Sequence, residues 1–206
     1  VLGAIPRDDE VAVPSRHLGL VPAVEHGEAA LAAVAAMTAL IARHVDLAAV
    51  LGLAGSRVTA GSWSPDAVIG EPVAGRPVVA VAAGRAFSFG YAEHRELLAA
   101  AGAEVAEFDP LTEPLPPDST GLILPGGFPE QYLETLSANT ELREQVCRLA
   151  ERAPVHAECG GLAYLMDELD GHPMCGVLAG AARFTPRLTL GYRDAVAVAD
   201  SPLFTT

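Results

Sequence analysis

The stretch PVHAECGGLAYLMDEL, residues 154–169, decides how the rest of the chain is read. Residues 154–157 have the apolar character of a short buried strand, and Gly160 and Gly161 permit a tight reversal. Leu162, Tyr164, Leu165 and Leu169 then recur at spacings that fit one face of a helix. Cys159 therefore falls at a strand-to-helix turn. That is the geometry of a nucleophile elbow, in which a strained bend holds the side chain up and the next residue's N–H faces the developing oxyanion. Ala157 and Gly161 supply the small flanks that such a bend needs. A helix starting just after Cys159 also brings its positive dipole end to the sulfur, which favours the thiolate as nucleophile. From spacing alone, a small buried hydrophobe remains the alternative for this cysteine.

Upstream of the elbow the pattern alternates. PVVAVAA (residues 77–83) is a continuous apolar run of strand length, residues 91–102 are helical with a glycine stop, and AEVAEFD (residues 103–109) is a second strand. GLILPGG (residues 121–127) is a third strand. Two helical segments follow within residues 130–152, with Asn139 as a cap between them, and the cysteine strand is the fourth. Alternating apolar strands and helices predict an α/β fold with a doubly wound, mostly parallel sheet, whose ligands bind at the carboxyl ends of the strands. Cys159 and the LPGGFPE turn (residues 124–130) both lie at such ends. Gly126 and Gly127 let the backbone approach a ligand, with N–H groups available to a carbonyl oxygen; an ordinary strand-ending turn is the alternative.

Composition bounds the function. The chain has 206 residues, half of them hydrophobic, and 26 acidic against 13 basic residues for a formal net charge of -13. This balance argues against a nucleic-acid or anionic-membrane surface, both of which require a positive patch, and favours small-molecule chemistry. Cys147, Cys159 and Cys175 are odd in number and lack CxxC spacing, so neither a disulfide framework nor a zinc site is indicated, and a reducing cytoplasm fits. The longest apolar run, residues 29–42, is interrupted by Thr38 and is too short to span a bilayer. Residues 28–44 predict an amphipathic helix burying Leu31, Val34, Met37, Thr38 and Ile41, and Asp46 predicts the N-cap of a second short helix. Residues 55–76, rich in glycine, serine and proline, read as a linker in which Trp63 is pinned to a domain surface, with residues 1–54 before it and residues 77–206 after.

AECGGLAYL resembles the nucleophile segment of class I glutamine amidotransferase domains, and specifically of the cobyrinic or hydrogenobyrinic acid a,c-diamide synthase family. Three other stretches resemble the same family. LPGGFPE is similar to its oxyanion loop, where the related cobyric acid synthases usually show LPGSKNT. AFSFGYAEHRELL, from Ala86, is similar to its AF-x-FYY-x-EN-x-ELL segment, with Gly90 where an aromatic residue is usual and Arg85 where an acid is usual. IPR and SRHLGL (residues 5–7 and 15–20) are similar to the end of its ATP-binding synthetase domain.

The resemblance implies a flavodoxin-like amidotransferase domain preceded by the tail of a P-loop-type synthetase domain. It implies glutamine- and ATP-dependent amidation of the a and c carboxylates of (hydrogeno)cobyrinic acid in cobalamin biosynthesis. Cys159 would be the nucleophile, the loop glycines with Gly160 the oxyanion site, and Pro6, Arg16 and His17 the neighbours of nucleotide or substrate. ATP and Mg2+ would serve the full-length enzyme, glutamine and the corrin precursor would be its substrates, and a homodimer is compatible with it. The family's base is a histidine in a GHEFHYS-like segment beyond the GYRDAVAVADSPL region, and its lysine-bearing phosphate loop lies near the N-terminus. Neither occurs between Val1 and Thr206, so the chain reads as a fragment. Of the histidines present, His156 lies three residues before Cys159 on a strand, where odd separations face opposite ways. His172 sits in DGHPMCGVL, which reads as the turn of a hairpin and so as exposed. Cobyric acid synthase or a cell-wall lipid amidating enzyme is the same-class alternative, and a non-catalytic scaffold of this fold the different-class one.

Overall fold

A computed structural model of the chain describes residues 1–11, 23–55 and 61–185, together with positions 191, 192, 194, 196 and 200. It divides into two compact units, Val1–Trp63 and Ser64–Thr206.

In the first unit α1 (Ala23–His44) is followed by α2 (Leu47–Leu53). Asp46 caps α2 as expected, its Oδ1 accepting the Ala49 N–H at 2.9 Å. The start of the chain is tied in beside it: Gly3 bridges Val45, and the Asp46 N–H donates to the Leu2 carbonyl at 2.7 Å. The predicted apolar face of α1 is a face but not a buried one. Leu31 is 71% exposed, Val34, Met37 and Ile41 are also exposed, and Leu40 alone among the described side chains of α1 is buried. Periodicity marks which side of a helix is apolar; burial needs a second element over it, and no described element of this unit covers these residues.

The second unit is built on a four-stranded parallel sheet in the order β2-β1-β3-β4, with β1 at Val78–Ala82, β2 at Glu104–Phe108, β3 at Ser119–Leu124 and β4 at Val155–Ala157. Before it, α3 (Pro65–Ile69) occupies part of the punctuated stretch that sequence reads as a linker. Ser64 precedes it and Pro65 opens it, a position where proline's missing N–H costs nothing. Trp63, expected against a surface, is 52% exposed. The crossover from β1 to β2 is α4 (Ala92–Ala100), and the one from β3 to β4 contains α5 (Leu133–Ala138) and α6 (Thr140–Ala150). Asn139 joins the last two, its Oδ1 accepting from the Leu142 N–H. Leu142, Val146 and Leu149 of α6 are buried in one core with Ala80, Ala82, Phe108, Leu122 and Leu124 of the sheet. This is the expected α/β architecture. Since β2 and β3 lie on opposite sides of β1, the chain reverses its winding between β1 and β3, and the crevice of such a sheet opens above that point.

One element differs in type. The helix after Cys159, α7, runs only Gly160–Leu165, and residues 166–169 form β5 (Met166–Leu169) of a small second sheet, ordered β6-β5-β7, with β6 at His172–Pro173 and β7 at Leu178–Ala182. Leu169 is thus buried from a strand, and Leu162 is exposed. The spacing of Leu165 and Leu169 suits a helix, but Asp167 is claimed by the sheet: its carboxylate accepts the Gly180 N–H at 2.8 Å and its carbonyl the Met174 N–H at 2.9 Å. The hairpin turns on Asp170 and Gly171, at φ 47° and 85°. Asp-Gly favours a two-residue turn with both central residues left-handed. His172 consequently starts a strand and is half-buried rather than exposed in the turn.

Candidate active site

Cys159 stands between β4 and α7 at φ 50°, ψ −117°, and is exposed. A non-glycine residue there carries strain on the order of 1–3 kcal/mol, which persists only where the surroundings over-determine it. They do so on both sides. The Glu158 N–H donates to the Leu124 carbonyl at 3.2 Å, fastening the end of β4 to β3, and the Gly161 N–H donates to the Glu158 carbonyl at 2.8 Å, closing the bend. Gly160 and Gly161 are buried at the start of α7. A Cβ on Gly161 would strike the Leu124 carbonyl group, lying 2.6 Å from its carbon, and one on Gly160 would lie 2.7 Å from Pro129 Cδ and 2.9 Å from the Gly127 oxygen. The two glycines are required because the helix start rests directly on the backbone of β3 and the loop after it.

That loop carries Gly126 and Gly127. A Cβ on Gly126 would come within 3.4 Å of the Cβ atoms of Cys159 and Phe89 and 3.7 Å of the Cys159 sulfur, so this glycine borders the nucleophile. At Gly127 a Cβ would meet the Ala86 carbonyl oxygen and lie 2.8 Å from Phe87 Cα, so a side chain is excluded there by the chain's own AFSFG segment, on β1's side of the crevice. Neither the Gly127 nor the Gly160 N–H donates to another described residue. Two amide donors are therefore left near one exposed sulfur.

Phe89, which the motif reading leaves without a role, is part of this site. Its N–H donates to the Gly126 carbonyl at 3.0 Å, and its ring meets that of Phe128 edge-on at 5.1 Å. Sequence period gives no hint of it: phenylalanines two apart would share one face of a regular strand, yet residues 84–87 bend, leaving Phe87 buried and Phe89 half-buried. Sequence spacing gives no sign of a pairing between His156 and His94, whose rings pack edge to face at 5.8 Å, with Tyr91 against His94 at 5.2 Å. Among the described residues no imidazole is bonded to Cys159. Pro6 is exposed in the first unit, and Arg16 and His17 lie outside the described residues.

The family model of the CobB/CobQ-like glutamine amidotransferase domain matches residues 78–201, from β1 through the elbow and beyond. The chain belongs to this family. Among curated relatives, hydrogenobyrinate a,c-diamide synthase of Mycobacterium tuberculosis is 62% identical over 99% of this chain and 45% of its own length. The enzyme of that name from Streptomyces coelicolor is 52% identical over 98% of this chain and 49% of its own, and cobyrinate a,c-diamide synthase of Synechococcus is 38% identical over 98% and 46%. The chain thus spans about half the length of the curated relatives it matches. No solved structure gives a significant match.

The other two thiols of this amidotransferase domain are set apart by burial. Cys147 is half-buried on α6, and Cys175 is buried in the core beside Tyr164. Burial pushes the Cys175 thiol up to about 12 and the Tyr164 hydroxyl still further above its ordinary value. Raised folded-state values stabilise the fold fully below the unfolded pKa, and that contribution is lost as pH climbs through the folded one, because the unfolded chain releases the proton first. For Cys175 the window runs from about 9 to about 12. The urea midpoint of the chain is expected to fall as pH rises across this range, and less steeply in Cys175→Ala. Parallel curves for the two proteins would show that this thiol is not linked to folding.

Proposed function

We propose that this chain carries the glutaminase machinery of an a,c-diamide synthase, which amidates the a and c carboxylates of hydrogenobyrinic or cobyrinic acid with nitrogen from glutamine and energy from ATP. The observation that carries the reading is the strained, exposed Cys159 facing the glycine loop, with the Gly127 and Gly160 amides unclaimed by described residues. Residues 1–54 are assigned to the end of the synthetase domain and residues 77–206 to the amidotransferase domain. The names of the relatives favour the diamide synthases over cobyric acid synthase.

In the proposed half-reaction Cys159 Sγ attacks the side-chain amide carbon of glutamine, and the carbonyl oxygen takes up negative charge between the Gly127 and Gly160 N–H groups. Collapse of this adduct breaks the C–N bond, ammonia leaves with a proton from an acid–base group, and a thioester remains. Water then cleaves the thioester to glutamate and the free thiol. The resemblance assigns the acid–base role to a histidine beyond residues 191–203. ATP and Mg2+ would act at the synthetase half, with Pro6, Arg16 and His17 as candidate neighbours. No group of three or more His, Cys, Asp or Glu among the described residues is arranged to hold a metal ion.

The test is labelling. Cys159 is exposed, whereas Cys175 is buried with its thiol held protonated, so a glutamine-like chloroketone is expected to label Cys159 ahead of Cys175 and Cys147. With no imidazole bonded to the sulfur among the described residues, ammonia release from glutamine by this chain is expected to be undetectable, since acid–base assistance contributes roughly a hundred- to ten-thousandfold. Preferred labelling of Cys147 or Cys175 would sink the assignment of the nucleophile. Ammonia release at ordinary enzyme rates would place the base among the six histidines present, and His172→Ala would be the first variant to make.

A further inference from the structure

The backbone of β3 does not run on regularly into the glycine loop. Within β3 the Leu122 N–H donates to the Pro154 carbonyl at 3.1 Å and the Leu124 carbonyl accepts the Glu158 N–H at 3.2 Å, so the polar groups of these alternate residues face β4. In a regular strand those of Gly126, two residues on, would face the same way, toward the elbow. The Gly126 carbonyl instead accepts the Phe89 N–H at 3.0 Å. Pro125, which has no N–H to continue a ladder, sits where the alternation breaks. A trans peptide is planar, so its C=O and N–H point in opposite directions. With its carbonyl drawn to Phe89, the Gly126–Gly127 peptide directs the Gly127 N–H away from Phe89. That nitrogen lies on the elbow's side, since a Cβ on Gly160 would be 3.2 Å from it.

We propose that the backbone N–H of Phe89 is a positioning group for the glutaminase half-reaction: it holds the Gly126–Gly127 peptide so that the Gly127 N–H, not the Gly126 carbonyl, faces the oxygen of the bound amide. This rests on the reading of Cys159 as nucleophile. The reverse orientation would place a carbonyl dipole against developing negative charge, so this peptide's direction decides between a donor and a repulsive group. The AFSFG segment after β1 and the LPGGFPE loop after β3 flank the point where the sheet reverses its winding. A bridge between them there fixes the crevice walls at the reacting atoms.

The experiment replaces the Phe89 amide with an ester, by incorporating the α-hydroxy analogue of phenylalanine into the 206-residue chain. This deletes one N–H and leaves the side chain in place. Two rates are read at Cys159. Alkylation by a glutamine-like chloroketone presents its carbonyl oxygen to the amide donors, whereas alkylation by iodoacetamide displaces iodide at a carbon that needs no such donor. The ester is expected to lower the chloroketone rate by at least about tenfold, as misdirecting an oxyanion donor should, and to leave the iodoacetamide rate unchanged. An unchanged ratio of rates in the ester, or equal slowing of both reagents, would overturn the proposal. A parent chain with no preference for the chloroketone would fail earlier, against the nucleophile assignment itself.

Discussion

Replacing Cys159 by alanine in the full-length protein is expected to abolish glutamine-dependent amidation while leaving synthesis from added ammonia intact. The effect should be large because the thioester route disappears with the sulfur. Removing a covalent nucleophile costs on the order of a ten-thousand- to millionfold in turnover, the residual rate coming from binding and the oxyanion donors alone. The selectivity follows from where Cys159 sits. It is exposed at the carboxyl edge of the sheet and contributes nothing to the core, so its truncation leaves no cavity, and an alanine at φ 50° is strained about as the cysteine is. Initial rates with glutamine and with ammonium chloride as alternative donors are the measurement. Glutamine-driven product at the parent rate would end the assignment, and equal loss with both donors would mean that Cys159 supports the fold rather than the ammonia source.

Gly127→Val should be nearly as damaging, for a reason visible only in three dimensions. A Cβ at this position meets the Ala86 carbonyl oxygen and lies 2.8 Å from Phe87 Cα, both backbone atoms that no rotamer change can move. The loop must lift away from the AFSFG segment, carrying the Gly127 N–H with it and loosening the Phe89–Gly126 bridge. Overpacking of this kind typically costs about 1–3 kcal/mol of stability, and loss of one oxyanion donor on the order of a hundredfold or more in turnover. Gly52→Ala is the control. Nothing lies within 4 Å of a Cβ there, inside α2, so that change should stabilise by about 0.5–1 kcal/mol through helix propensity. Urea midpoints of the two variants should move in opposite directions, and chloroketone labelling of Cys159 should collapse in Gly127→Val alone. A Gly127→Val chain with the parent's midpoint and labelling rate would show that the loop accommodates a side chain and that its glycine is incidental.

Much of the parallel sheet was legible from local pattern. The central strand β1 is a continuous apolar run, while the edge strand β2 keeps glutamates at its exposed positions 104 and 107, and Asn139 and Asp46 cap helices where their side chains predict it. The elbow was legible too, since a cysteine followed by two glycines between a strand and a helix leaves the backbone little choice. Local pattern failed where two structures compete for one spacing. Leu165 and Leu169 suit a helix, and only the ties of Asp167 to Met174 and Gly180 draw residues 166–169 into a sheet. It failed again on α1, whose apolar face is real in sequence and uncovered among the described residues.

The amino-acid sequence by itself determined the α/β class, the cysteine at a strand-to-helix bend and the glycine loop opposite it, because these follow from period, turn chemistry and residue size over a few neighbours. Tertiary structure alone decided which way the loop's peptides face. The direction of the Gly126–Gly127 peptide depends on a hydrogen bond from Phe89, 37 residues earlier, and the need for glycine at position 127 depends on the backbone at positions 86 and 87. Neither leaves a periodic trace, since a main-chain N–H is the same on every residue but proline, and only the folded sheet brings these segments together.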